Sequence, residues 1–170
     1  MKNFDFIQLL AQHIPSFSQL HAYCDKAEIF QSSFPEESAT NARKALEWLV
    51  KNHLTMASVT LEKHETLNDM LKRPEIDAFI DYDWEFERDI RTVKKIGNYA
   101  SHTGAQEIKK NDAFICLRSL YYVVSGFLYA LPLHSLIKPN NSSIETSGLS
   151  VVSASTNKFL YSSSDNVLTR

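Results

Sequence analysis

The sequence predicts an all-α fold, an antiparallel bundle of about five to seven helices. Three observations point there. Apolar residues recur at three- and four-residue intervals through most of the chain up to Leu131. Proline and turn residues cut that stretch into helix-length pieces. The last of these pieces, residues 106–131, is apolar around much of its circumference, as a helix central to a bundle must be.

Each element has its own justification. Phe4, Ile7, Leu10, Ala11 and Ile14 share one face of a short first helix; Pro15 ends it and Ser16 can cap the next. Leu20, Tyr23, Cys24, Ala27 and Phe30 or Ile29 line a second helix. Residues 31–35 form a turn, and Pro35, Glu36 and Glu37 suit a helix amino terminus, where a fixed φ and negative charge are favourable. A third helix is expected over residues 38–53. Its stripe is Ala42, Ala45, Leu46, Leu49 and Val50, and its alanine-rich first half lets a neighbour approach closely. Residues 54–60 break the pattern. Thr60 and Lys63 do not make a capping box, but Glu62 and Glu65 favour a fourth start, with Leu61, His64, Leu67, Met70 and Leu71 on its face.

Lys72 and Arg73 suit a carboxyl end and Pro74 a new first turn, followed by Ile76, Phe79 and Ile80. The next helix is expected from about residue 83 to 96 or beyond. Ile90, Val93, Ile96 and Ala100 form its stripe. Gly97 either ends this helix or permits close contact within it, and the sequence leaves both open. Thr103-Gly104 is a turn. Ile108, Phe114, Ile115, Leu117, Leu120, Tyr121, Val124, Phe127 and Leu128 then mark the last long helix, stopped by Pro132. From Pro139 the composition shifts: nine serines fall in the final 32 residues. Residues 1–138 are thus expected to form the domain and 139–170 a tail or interdomain linker, with a short strand at 149–152 as a minor alternative. The ragged end also allows for a piece of a longer protein.

Composition excludes several classes. With 18 basic and 20 acidic side chains, the chain suits neither a generic nucleic-acid coat nor a polybasic membrane anchor. Cys24 and Cys116 fall in helical patterns and are expected as buried free thiols; no CxxC pair supports zinc, and no metal or cofactor is implied. The start MKNFDFIQLL is not a secretory signal. The apolar run 120–136 is interrupted by Ser125, Pro132 and His134, so it reads as a buried helix rather than a membrane span. The cytoplasm is the default compartment.

The segment 87–102, ERDIRTVKKIGNYASH, draws attention because an apolar stripe, a basic cluster and Gly97-Asn98-x3-His102 coincide in it. Together with Ala27-Glu28, Ala42-Arg43-x2-Leu46-Glu47 and the aromatic-rich helix 117–131, it makes residues 15–135 resemble the small helical domain at the amino end of type I restriction enzyme motor (R) subunits. That domain also occurs as a stand-alone protein. The family resembles in turn the wider HEPN group of helical bundles, whose nuclease members cut RNA with Arg-x4-6-His, commonly Arg-Asn-x3-His. Here Gly97 stands where that arginine would be, so the resemblance implies the fold more strongly than nuclease activity.

The resemblance implies a polar hub of Glu28, Arg43, Glu47, Asn98 and His102 that holds the helices together. The leading expectation is therefore a non-catalytic docking or regulatory domain. Its partners would be restriction-modification subunits, a larger parent polypeptide or nearby nucleic acid, with no membrane. The alternative is a metal-independent endoribonuclease in which His102 serves as acid or base and Asn98 orients it, across a homodimer. A third is an interaction domain unrelated to restriction. Arg91, Lys94, Lys95, Lys109 and Lys110 form a candidate basic patch for phosphate or partner contact, against an ordinary solvated face balanced by Glu87 and Asp89. Asp81, Asp83, Glu85, Glu87 and Asp89 are expected as surface charges. Trp48, Trp84, Tyr121 and Tyr122 are expected as packing anchors, an exposed aromatic patch for a partner being the alternative.

Overall fold

The computed structural model describes residues 2–80, 84–101 and 107–130. Among these, seven helices and no strand occur: α1 Asp5–His13, α2 Phe17–Phe30, α3 Pro35–Met56, α4 Leu67–Met70, α5 Pro74–Ile80, α6 Trp84–Ser101 and α7 Lys110–Ala130. They form an antiparallel bundle with α3 at its centre. α2, α6 and α7 all pack against α3, α7 also packs against α6, and α1 lies on α2.

α3 earns its central place by being long and narrow. Pro35 occupies its first turn beside Glu36 and Glu37, as expected. Ala39, Ala42 and Ala45 are buried, and the Ser38 hydroxyl donates to the Ala27 carbonyl of α2 at 2.6 Å, so these two helices meet closely. The helix runs three residues past the expected end because Leu54 still faces the core. It then closes through Ser58, whose φ of 59° is left-handed. The Ala57 and Val59 N–H groups turn back to the His53 and Leu54 carbonyls, satisfying acceptors that the helix end would leave orphaned.

The fourth helix differs most from its expectation. It is one turn, Leu67–Met70, and starts at Thr66 rather than near Glu62. The reason is a capping box: the Asp69 N–H donates to the Thr66 hydroxyl at 3.3 Å, and the Thr66 N–H donates to the Asp69 carboxylate at 3.1 Å. Leu61 and His64 precede it in irregular chain. Glu65 is used differently, taking both Nε and Nη2 of Arg73 at 2.5 and 2.8 Å. α7 likewise starts at Lys110, after the expected residue 106, where Asp112 accepts the Lys109 N–H at 3.0 Å.

The core gathers the predicted stripes. Leu20, Leu46, Val50, Ile90, Val93 and Leu120 are fully or almost fully buried. An aromatic cluster fills one end, with Phe79 and Phe86 at 4.8 and 5.7 Å from Phe127 between ring centres. Gly126 admits the Phe86 ring, which a methyl there would overlap. Replacing a ring such as Phe127 by alanine costs about 3–5 kcal/mol in comparable cores. Cys24 and Cys116 are buried and unbridged; burial pushes both thiols up, Cys116 to about 12.

Two surface expectations are corrected. Asp89 is not a solvated charge: it is 5% exposed and accepts the hydroxyl of buried Ser119 at 2.8 Å. Its position on α6 faces α7, whereas Glu85 and Glu87 turn outward or sideways. Trp84 is not a packing anchor either. It stands exposed with the Arg88 guanidinium 5.0 Å above its ring. Trp48 does pack, edge-on to Phe17 at 5.3 Å, while Tyr121 and Tyr122 stay substantially exposed. α7 is long and apolar enough to cross a membrane by length and composition; here it packs on α3 and α6. Asp81, Asp83, the 103–104 turn and the expected tail 139–170 with its strand lie outside the described residues.

Candidate functional site

The second half of α6 crosses α3, and the crossing is built on one missing side chain. Ile90 and Val93 anchor α6 in the core, which brings buried Gly97 down onto the alanine-rich half of α3. A Cβ at Gly97 would overlap the Arg43 Cβ and stand 3.0 Å from the Ala39 carbonyl oxygen. The question left open by the sequence is thereby answered. Gly97 is a point of backbone contact in mid-helix, and α6 continues to Ser101, whose hydroxyl donates to the Gly97 carbonyl at 2.8 Å.

Close approach sets up the polar contact beside it. Arg43 Nε donates to Asn98 Oδ1 at 2.7 Å, and Arg43 Nη1 lies 3.8 Å from the Glu47 carboxylate one turn further along α3. Glu47 also accepts Lys51 Nζ at 2.6 Å. The Arg43 and Glu47 side chains are both less than a third exposed, so the network is partly desolvated and stronger than a surface pair. Three of the five expected hub residues are therefore together. His102 follows Asn98 by four positions in sequence and lies outside the described residues.

Glu28 is the correction. It is engaged elsewhere, taking the Asn3 backbone N–H at 3.0 Å and the Asn3 side-chain amide at 2.8 Å, both on Oε1. With the Lys2–Asp25 pair at 2.6 Å, it fastens the amino-terminal segment to α2. Its other oxygen, Oε2, is buried and has no hydrogen-bond partner among the described residues.

The five candidate basic residues sit on α6 and at the start of α7. Arg91 pairs with Glu87 on its own helix, and Lys94 Nζ donates to Asn68 of the α4 turn at 2.8 Å. These two line a shallow hollow with Lys72, closed on other sides by Asp77 and Glu87, so its charges nearly balance. Lys95 is exposed on α6 outside that hollow, and Lys109 and Lys110 lie at the start of α7, where the Lys110 carbonyl accepts from Gln31 of α2 at 3.3 Å.

Sequence reasoning missed His53. It sits in the last turns of α3 with its ring 4.6 Å from Phe79 and 5.7 Å from Phe127, and burial lowers its pKa. It borders a small cleft of about 140 Å³ with Trp48, Asn52 and Met56. No spacing in the sequence announces it, because both aromatic partners come from helices distant in the chain.

No family model matches the chain, and neither curated proteins nor solved structures give a match.

Chemically, the α3–α6 crossing joins two helices through a guanidinium and an amide. The Arg43 Nε–H facing Asn98 is engaged by its Oδ1, and the Glu47 carboxylate stands on the far side of the same guanidinium.

Proposed function

We propose that this chain is a non-catalytic docking and regulatory domain of the HEPN kind, belonging to a type I restriction-modification system in the cytoplasm. Its task is to contact another subunit, or nucleic acid beside it. The observation that carries this reading is the glycine at 97: the position where the resembling nucleases hold a free arginine is spent on helix contact. The nearest cation, Arg43, is tied into a bond between helices. A polar group engaged in this way specifies how helices pack.

The test is binding of the purified chain to a methylase–specificity subunit complex, with RNA and DNA cleavage assayed in parallel. Saturable binding without cleavage supports the reading. Cleavage that disappears on His102→Ala overturns it.

A second reading is favoured by one specific feature. Arg43 Nε lies 2.7 Å from Asn98 Oδ1, so a guanidinium from α3 stands beside the very asparagine that the nuclease motif would use. A guanidinium has five donors, and only part of that fork is taken up here. In this version Arg43 replaces the cation absent at Gly97, and His102 acts as acid or base in metal-free RNA cleavage. The reading requires EDTA-resistant cleavage that is lost in both Arg43→Gln and His102→Ala; retention of activity in Arg43→Gln sinks it.

A further inference from the structure

The outer face of α7 is aromatic. Over residues 114–129 the positions turned away from α3 and α6 are Phe114, Arg118, Tyr121, Tyr122, Ser125 and Tyr129, spaced so that they share one side of a 3.6-residue helix. Phe114, Tyr121, Tyr122 and Tyr129 are 54, 37, 50 and 92% exposed, on the same helix whose other side supplies Leu120, Val124 and Phe127 to the core. Scattered apolar residues are normal on a surface, but four rings in one row along about 22 Å of helix are not.

The row has a symmetry of its own. Its residues fall in pairs about the point between Tyr121 and Tyr122: Phe114 is as far on one side as Tyr129 on the other, and Arg118 as far as Ser125. We propose that this face binds a second copy of the chain, the two α7 helices running antiparallel across a twofold axis at Tyr121–Tyr122. Phe114 then meets Tyr129 of the second copy, the central tyrosines meet each other, and Arg118 lies opposite Ser125 with aromatic faces on either side. A twofold contact must be self-complementary, which this spacing is.

Area and charge favour this occupant over others. The exposed parts of the four rings amount to roughly 450 Å² per copy, over half of the about 800 Å² per partner that a standard interface buries. On α1, Phe6 touches Tyr121 at 6.1 Å between ring centres and extends the apolar surface beside the row. Arg118 is the only cation of the row, too little for a phosphate backbone or an anionic lipid surface. Tyrosines give large contact area at low entropic cost and are enriched at interfaces for that reason.

The test is sedimentation equilibrium of the full chain, with the variants Tyr122→Glu and Tyr129→Glu. Both side chains are exposed, so the helical circular dichroism should be unchanged. The parent chain should reach dimer mass below about 100 µM, and either variant should weaken association by at least about tenfold. Orientation is read by disulfide trapping, which the buried native cysteines do not disturb. Tyr122→Cys should cross-link to itself. Phe114→Cys should cross-link to Tyr129→Cys in a mixture and not to itself. A chain that stays monomeric throughout this range, a dimer indifferent to both glutamate variants, or a Phe114→Cys homodimer overturns the proposal. So does a monomer that uses these tyrosines to bind RNA or lipid vesicles.

Discussion

Arg43 and Asn98 lie 55 residues apart in the chain and are joined by a hydrogen bond, Nε to Oδ1 at 2.7 Å, across the α3–α6 crossing. Because the guanidinium is partly desolvated, removing its acceptor should cost more than a surface pair would. Asn98→Ala is expected to destabilise by about 1–2 kcal/mol. The double-mutant cycle with Arg43→Ala should show a coupling of about 1 kcal/mol. Urea unfolding of the four proteins measures it; strict additivity would mean that the bond contributes nothing net.

Gly97→Ala tests the crossing itself. Alanine is the better helix former by about 1 kcal/mol, so an uncrowded site would gain stability. Overlap with Arg43 Cβ and the Ala39 carbonyl should instead cost about 1–3 kcal/mol beyond that gain. The melting temperature should fall. Adding Arg43→Ala should not restore it, since the overlapped atom is the Cβ that alanine keeps.

Asp89 and Ser119 hold α6 to α7 through a carboxylate that is nearly sealed from water. Ser119→Ala removes a hydrogen bond to a charged group and should cost about 1.5–3 kcal/mol. Asp89→Ser, which keeps a polar partner and removes the charge, should be milder than Asp89→Ala. Equal losses in chemical denaturation would argue against a role for the hydrogen bond.

His53 gives the bundle an acid-sensitive point. Burial among aromatic rings disfavours the imidazolium, so its folded pKa lies below the ordinary histidine value of about 6.5. The unfolded chain therefore takes up the proton first. Stability from this group is complete above about pH 6.5 and is lost as the pH falls from there through the lower folded value. Glu65 and Asp69, held below their ordinary values by Arg73 and Thr66, lose their contribution only at lower pH. Stability curves from pH 8 to 5 should slope downward for the parent chain and be flatter for His53→Leu over that interval; the same slope in both would remove His53 as the cause.

Much of the helical frame was legible in the chain. Apolar periodicity located α1, α2, α3, α6 and α7, because a helix must bury one stripe wherever it packs. Boundaries were less visible. The α4 start hung on Thr66 and Asp69 exchanging bonds, a local pattern overlooked beside the acidic Glu62 and Glu65. The α3 end hung on Leu54 still having a core to face. Arg43, Glu47 and Asn98 were nameable from resemblance. Glu28 was misplaced, because its partner is Asn3, a residue without pattern.

By itself, then, the sequence determined that this chain is helical and which stripes turn inward, since both follow from spacing along one segment. Only the tertiary structure decided that Gly97 is a contact and not a stop, that Asp89 is buried while Trp84 is not, and that the rings of α7 face outward. Those outcomes depend on what another helix places opposite a residue, and a residue's own neighbours in the chain carry no record of that.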